Sequence, residues 1–466
     1  MGTISIHGLP YRHARGRLTH SWVVAVVGGG AVGIIVAVGG LWAGVGLAVL
    51  ASLALLSVID EQWAVLVFVL GLIFVDRSPI MIHQSFVRLY QVFSLPIIGK
   101  WVIVRVVRRE SIYWPRGWHW PLLWMTSFWL AWPHVISHSN FFVEVVGTLY
   151  LWVLGIVVFD VIRRHRLEQK AVTALSWSGI VVTLSGLVQY ALFFAHILHP
   201  SLYGGFVRPY GLMREPDWYG VVSGITILLI LHERRKFGKW GARLLAAAAV
   251  VGLLASLARA SWVATAVAVA ILALWPGPDR VPARRLIVAV IISLIAMTMI
   301  VAMVNMPLFM RLAGRLTPVS SGQAASAHVL AQQAWASRVG SIRLMWELFL
   351  QYPLVGAGAG VMGKLSLAAS MDRLYAGGGT LNTGRAAANV ILSQLASVGI
   401  VGLLPFAAWF VSSVKKGLRF SPWLGSALIL CLVDFQFNSG TGFGFFWVFM
   451  VLASMGTGHG NVHRLP

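Results

Sequence analysis

The chain has 466 residues, of which 58% are hydrophobic and only 11% are charged. Soluble domains carry about 25% charged residues, so this composition excludes an ordinary soluble enzyme. The net charge of +22 would suit a nucleic-acid-binding protein. The sequence has no basic-aromatic nucleic-acid motif, however, and we attribute the charge to membrane orientation and to an anionic substrate.

Apolar runs recur along the whole chain at the length of roughly 20 residues that crosses a bilayer. They predict an all-α polytopic membrane protein with about 12–14 transmembrane helices. The predicted spans are 21–39, 41–58, 63–76, 79–98, 119–136, 141–161, 171–197, 217–232, 243–258, 261–277, 286–304, 388–412, 422–436 and 442–457.

Clusters of lysine and arginine separate these spans, and short loops rich in Lys and Arg stay in the cytoplasm. The clusters are residues 12–17, 105–109, 163–166, 234–243, 280–285 and 415–419. Placing all of them inside predicts five divisions. These are a cytoplasmic tail (1–20), a transmembrane bundle (21–304), a long outer segment with amphipathic helices (305–387), C-terminal transmembrane helices (388–457) and a second cytoplasmic tail (458–466).

Three segments then face the outside: the loop 198–216, the tight turn 258–261 and the long segment 305–387. All three carry arginine. Basic residues on the outer side do not help to set the orientation of the chain in the membrane. Their presence therefore favours an anionic ligand on that side. The alternative is an accidental excess of solvated charge.

The long outer segment contains a predicted helix over 324–352, which Pro353 ends. An apolar stripe of Val339, Ile342, Trp346 and Phe349 marks its packing face. The sequence "PLVGAGAG" follows, and its glycines would let the backbone approach a phosphate. This run is not a P-loop, because the Lys-Ser/Thr ending is absent.

Candidate chemistry lies in the two shorter outer segments. Arg208, Glu215 and Asp217 stand in "RPYGLMREPDWYG", at the mouth of a span. Asp217 also suits a helix N-terminus, so capping is its alternative role. Arg259 stands in "SLARASW", in a short turn on the outer side of the membrane, where arginine is not expected. The alternative is an arginine at a helix end whose side chain extends to the membrane surface. The sequence has no metal-site spacing and no hydrolase triad motif, and we predict no metal.

Four motifs follow one another over residues 170–455: "RPYGLMREPDWYG", "LARASW", "SRVGSIRLMWELFLQYPLVGAGAG" and "ANVILSQLASVGIVG". In this order, and with a shared outer side, the chain resembles the bacterial O-antigen ligase and O-antigen polymerase superfamily. The resemblance implies an inverting membrane glycosyltransferase that needs no metal, cofactor or nucleotide sugar. It also implies a multi-pass protein of the bacterial cytoplasmic membrane with its active site on the periplasmic or extracellular side.

The partners implied by the resemblance are an undecaprenyl-pyrophosphate-linked glycan as donor, a glycan or lipid acceptor and a chain-length regulator protein. At the family's arginine positions, Arg208, Arg259 and Arg338 would clamp the pyrophosphate. Guanidinium groups pair with phosphate bidentately and stabilise the charge that grows on this leaving group. Arg343, Arg385 and Asn389 are further candidate substrate contacts.

The chain departs from the family at residue 388. The superfamily has His-Asn at the start of the span after the long outer segment, whereas this chain has Ala388-Asn389. Alanine can neither accept a proton nor position an acceptor. Three explanations stay open: an engineered substitution that traps substrate, a natural variant with Glu215 or Asp217 as base, or an inactive relative.

The "EP" of "REPDWYG" is similar to the polymerase pattern rather than to the ligases' usual Pro-Asn. It favours a polymerase of repeat units over a ligase that transfers the glycan to lipid A-core. A lipid-linked oligosaccharide flippase is the alternative from another class. Transporters place functional polar residues near the midplane of the bilayer, whereas the candidates here gather on the outer side.

Overall fold

The computed structural model describes residues 60–73, 80–82, 85–87, 89–135, 137–195, 197, 202–203, 206–213, 215–274, 340–361, 389–437 and 444–455. This part of the chain confirms an all-α polytopic membrane protein. Four of its helices are long and apolar enough to cross a membrane, and several shorter apolar helices pack beside them. The predicted spans 21–39, 41–58 and 286–304 lie outside the described residues.

The helices follow the predicted spans closely. They are α1 (Glu61–Gly71), α2 (Leu89–Val102, continued by a π-helical turn at Ile103–Val107), α3 (His119–Leu130), α4 (His138–Arg164), α5 (Glu168–Phe194), α6 (Pro216–His232), α7 (Arg234–Ala255), α8 (Arg259–Leu274), α9 (Val390–Phe420), α10 (Pro422–Asp434) and α11 (Gly444–Met455). A short 3-10 helix, Trp132–His134, follows α3, and residues 340–351 are also helical.

The predicted span 79–98 is partly wrong. Its first residues form an antiparallel hairpin of β1 (Ile80–Ile82) and β2 (Ser85–Val87), with Ile80 opposite Val87, and the helix begins only at Leu89. Isoleucine, valine and phenylalanine favour strands, and a short apolar run does not distinguish a strand from a helix. A second two-residue hairpin pairs β3 (Leu202–Tyr203) with β4 (Phe206–Val207).

Tryptophan side chains form the centre of the core between α3, α9 and α11. Trp118, Trp124, Trp409 and Trp447 are all buried, and the Trp409 and Trp447 rings lie 4.7 Å apart. The indole N–H of Trp124 donates to Gln394 Oε1 at 2.8 Å, so this polar group is satisfied inside the core. The contact fixes α3 against the first half of α9.

A buried ionic network joins α1, α2 and α4 at the end of the bundle that we call the Arg105 end. Arg105 donates to Asp160 and Glu61, each at 2.7 Å, and to Glu110 at 3.0 Å. The side chains of Arg105 and Asp160 are 1% and 0% exposed. Trp101 and Arg164 also donate to Asp160. The sequence predicts only a cytoplasmic basic cluster here, whereas Arg105 is an internal, fully paired residue.

Candidate functional site

The opposite end of the bundle, which we call the Arg208 end, begins with an anchored loop. Gln189 Oε1 of α5 accepts hydrogen bonds from the backbone N–H groups of Tyr210 and Gly211, at 2.9 and 2.8 Å. Gly211 has a φ of 54°, which a residue with a side chain rarely adopts. These contacts hold the loop on α5 and set the position of Arg208.

Arg208 joins two other elements of the fold. Its Nε donates to the carbonyl oxygen of Ser256 at 2.6 Å, just after the end of α7. Its Nη2 pairs with Asp217 Oδ1 at 2.5 Å, in the first turn of α6. The Arg208 side chain is 15% exposed. It therefore has a structural role, because it satisfies a carbonyl group at a helix end. Its role in ligand binding stays a prediction.

Arg259 lies three residues after Ser256, as the first residue of α8. The turn between α7 and α8 packs closely on α6, because a Cβ on Gly220 would lie 2.8 Å from both Ser256 Oγ and Ala258 Cβ. Arg259 is exposed and makes no hydrogen bond or ion pair with any described residue. The structure thus brings Arg208, Asp217 and Arg259 to one turn.

A hydrogen-bonded link connects this turn to the start of α9. Ser261 Oγ donates to Asp434 Oδ1 at 2.8 Å, and Asp434 is fully buried at the end of α10. The next residue, Phe435, accepts at its carbonyl oxygen from the backbone N–H of Val390 at 2.9 Å. No role is assigned to Asp434 or Ser261 from the sequence. Neither residue has a local pattern that marks a long-range contact.

Asn389 is the N-cap of α9. Its Oδ1 accepts from the backbone N–H of Leu392 at 2.9 Å, which is the preferred contact of asparagine at this position. Ala388 immediately precedes it and lies outside the described residues, as do Arg338 and Arg385. The start of α9, where the superfamily has its histidine, therefore lies at the Arg208 end.

Glu215 and Asp217 differ in their surroundings. Glu215 is the N-cap residue of α6, and its side chain is exposed and makes no capping hydrogen bond. Asp217 is engaged by Arg208 and is 27% exposed. Glu215 is thus the more accessible of the two candidate bases.

The helical segment 340–351 lies with a different face inward from the one predicted. Met345 and Leu348 are the buried residues, whereas Ile342 and Trp346 are 39% and 47% exposed. Of the predicted stripe, Ile342 and Trp346 are thus not on the buried face, Phe349 is partly buried and Val339 lies outside the described residues. Arg343 is 81% exposed and pairs with Glu347 at 2.8 Å.

The glycine run after this segment has a structural role that the phosphate interpretation did not predict. Helix α9 is broken at Gly399, which has φ 62° and ψ −165°. The N–H groups of Ala357 and Gly358 donate to the carbonyl groups of Ala396 and Ser397, at 2.8 and 3.0 Å. On the other side of the break, Ile400 N–H and Val401 N–H donate to the carbonyl oxygens of Pro353 and Leu354, at 3.0 and 3.1 Å.

Residues 353–361, which we call the plug, therefore replace the hydrogen bonds that α9 loses at its break. A Cβ on Gly356 would collide with the backbone of Ser397, and one on Gly399 with the carbonyl of Leu354. All of the plug glycines have positive φ. Irregular backbone at membrane depth is tolerated where protein satisfies it. The phosphate-cradle interpretation of "PLVGAGAG" is wrong, because its glycines pack against other protein residues and the N–H groups of Ala357 and Gly358 already donate to α9.

Two histidines near the plug pack against aromatic rings. His134 stacks on Tyr352 at 4.4 Å, and His138 lies edge-on to Trp132 at 4.8 Å. Over the part of the chain that the structure describes, no group of three or more His, Cys, Asp or Glu is arranged to hold a metal ion.

Comparison with known families adds one finding to this geometry. The O-antigen ligase family matches residues 244–407. Residues 244–407 are thus similar to that family. The match confirms the resemblance to the O-antigen ligase and polymerase superfamily. Among curated proteins, none matches the chain significantly.

The matched region covers most of α7, all of α8, the plug and the first half of α9. Arg259 and Asn389 fall within it, whereas Arg208, Glu215 and Asp217 precede it. The contact of Arg208 with Ser256 therefore crosses the boundary of the matched region. The match supports a function of the O-antigen ligase or polymerase type in the broad sense.

Proposed function

We propose that the chain is an inverting, metal-independent glycosyltransferase that uses an undecaprenyl-pyrophosphate-linked glycan at the outer face of the bacterial cytoplasmic membrane. One observation carries the proposal: Arg208 contacts the carbonyl oxygen of Ser256, three residues before Arg259, in the turn that is linked to the start of α9. The proposal adds Arg338 as the third arginine of the pyrophosphate clamp.

The chemistry follows from the charge that moves in the reaction. An acceptor hydroxyl attacks the anomeric carbon of the donor, the glycosidic bond to the pyrophosphate breaks, and the configuration inverts. Negative charge then grows on the pyrophosphate, where guanidinium groups stabilise it. Arg259 is the best placed of the described arginines for this role, because no described residue occupies its guanidinium group.

The proton of the acceptor hydroxyl needs a base. In the chain with Ala388 we assign it to Glu215 or Asp217, of which Glu215 is the more exposed. At position 388 the chain has alanine, so the group that the superfamily supplies there is missing. The capping hydrogen bond holds Asn389 in place, and Asn389 would thereby orient the side chain at position 388.

We propose polymerisation of repeat units of O-antigen or another surface polysaccharide as the reaction, on the "EP" of residues 215–216. Ligation to lipid A-core is the second candidate, and the description of the matched family as an O-antigen ligase favours it. The two reactions share a donor and differ in the acceptor.

The test uses purified full-length protein, as the native chain and as Ala388→His, with one lipid-linked repeat unit. A ladder of longer lipid-linked products supports the polymerase. Product that forms only after lipid A-core is added supports the ligase. Movement of the lipid-linked glycan across proteoliposome membranes without a new glycosidic bond would overturn the proposal in favour of a transporter.

A further inference from the structure

A cleft at the Arg105 end of the bundle has no part in the proposed reaction. It has a volume of about 190 Å³ and lies between the end of α6, the start of α7 and the start of α10. Leu231, His232, Arg234, Arg235 and Trp423 line it. The described residues of its walls are thus two arginines, a histidine, an indole ring and an aliphatic side chain, and none of them is an acid. The histidine, His232, lies 3.9 Å from Glu233 Oε1.

The arginines of the cleft are not neutralised by their surroundings. Arg234 and Arg235 are exposed, and neither makes a hydrogen bond or ion pair with any described residue. Glu233, their neighbour in sequence, is buried and occupied. It pairs with Lys236 at 2.5 Å and accepts from Thr173 at 2.9 Å. A pair of guanidinium groups without a counter-ion favours an anion with several acceptor oxygens.

Exposed side chains on α7 support a place for this cleft at the depth of lipid headgroups. The helix breaks at Gly238, with φ 67° and ψ 167°. The indole of Trp240 beyond the break is 76% exposed, with the Arg243 guanidinium 5.2 Å above it, and Leu244 is 73% exposed. Exposed tryptophan marks the membrane–water interface, and exposed leucine one turn on faces the acyl chains. Arg234 therefore lies on the headgroup side of Trp240.

We propose that this cleft binds a phosphate anion through Arg234 and Arg235, with Leu231 and Trp423 against the apolar part of the ligand. Basic pockets between transmembrane helices on the cytoplasmic side suit the phosphate of an anionic phospholipid. The same groups would accept a soluble phosphate ester. Because the cleft has an apolar wall and lies at the depth of the lipid headgroups, we assign a phospholipid as the occupant. The experiment distinguishes a phospholipid from a soluble phosphate ester.

The test measures bound phosphatidylglycerol by native mass spectrometry of the full chain in a neutral detergent. The wild type is expected to retain phosphatidylglycerol in preference to phosphatidylcholine. The double variant Arg234→Gln/Arg235→Gln should bind it about tenfold more weakly, because two charge-assisted contacts are lost. Lys239→Gln/Arg243→Gln is the matched control, since it removes the same charge from the same helix outside the cleft.

Two results would overturn the site. One is equal retention of phosphatidylglycerol by wild type and the Arg234→Gln/Arg235→Gln variant. The other is an equal loss in the Lys239→Gln/Arg243→Gln control, which would mean that only the overall basic charge matters. Competition by millimolar inorganic phosphate or glycerol 3-phosphate would support the anion site and overturn its assignment to lipid. Thermal unfolding of each variant in phosphatidylcholine checks that the fold is intact.

Discussion

Arg105 and Arg259, at opposite ends of the bundle, use their guanidinium groups in opposite ways. At the Arg105 end, one buried guanidinium group contacts the carboxylates of Glu61, Glu110 and Asp160. At the Arg208 end, Arg208 contacts one carboxylate and Arg259 contacts none among the described residues. A buried guanidinium group needs counter-charges to offset the cost of its desolvation. An exposed guanidinium group without a protein partner has its N–H donors available for a ligand. The comparison separates arginines that stabilise the fold from arginines that are available for chemistry.

The largest expected effect on stability is at the Arg105 end. Arg105→Ala should lower the free energy of unfolding by about 3–5 kcal/mol, because it leaves the carboxylate of Asp160 buried and without its main counter-charge. Thermal and denaturant unfolding in detergent would measure this change. Arg259→Ala is the matched control and should stay within about 0.5 kcal/mol of the wild type. Similar losses of unfolding free energy in both variants would contradict the difference between Arg105 and Arg259.

The next effect concerns the backbone that positions the Arg208 end. Gly399→Ala should destabilise the protein by about 1–3 kcal/mol through the backbone conformation alone, with more from the collision with Leu354. Gly99→Ala is the matched control, because a Cβ on Gly99 meets no atom within 4 Å. Equal stability of the two variants would contradict the role of the plug in completing α9.

A smaller effect depends on pH. Partial burial raises the pKa of the Glu61 carboxyl, but hydrogen bonds and charge from His165 and Arg105 outweigh it and hold that pKa below its usual range. The contribution of Glu61 to stability is therefore fully present above the unfolded pKa of about 4.3 and is lost as the pH falls through the lower folded pKa. Melting curves of wild type and Glu61→Gln should differ at pH 6 and converge at acid pH. A difference that persists or grows at acid pH would show that charge is not the cause.

The smallest effect is expected at the exposed pair of Arg343 and Glu347. Arg343→Ala should change stability by less than about 0.5 kcal/mol, because ion pairs between exposed side chains contribute little. It should also reduce glycan transfer far less than Arg259→Ala. Parallel assays of unfolding and transfer measure both quantities. A loss of transfer as large as that of Arg259→Ala would move Arg343 into the group of clamp residues.

The sequence predicts the helices well and their contacts poorly. Apolar runs of membrane-span length locate α3 to α11 because a bilayer requires that length and composition. The hairpin at 80–87 is missed, because runs of eight residues carry no reliable period. The inward face of the segment 340–351 is also missed, since both lipid and core accept apolar side chains.

In the candidate site, too, the sequence predicts where the residues lie along the fold but not the contacts that hold them. The positive-inside rule places Arg208, Arg259 and Asn389 on one side, and the structure brings them to one end of the bundle. The groups that hold them there include Gln189 and Asp434, which stand in none of the motifs, and Ser261, whose contact with Asp434 spans 173 residues of sequence. The sequence also does not predict the role of the plug, because a run of glycines is compatible both with phosphate binding and with packing against a broken helix.

The central claim is that Arg259 is available for the leaving pyrophosphate, and one measurement tests it most directly. Transfer from a lipid-linked repeat unit is compared between parent and Arg259→Ala, in whichever of the native chain and Ala388→His is active. The account predicts a loss of about 10²–10³-fold in the rate of transfer, the size typical of removing one donor that stabilises developing charge, with unfolding unchanged. Near-parental transfer by Arg259→Ala would contradict it.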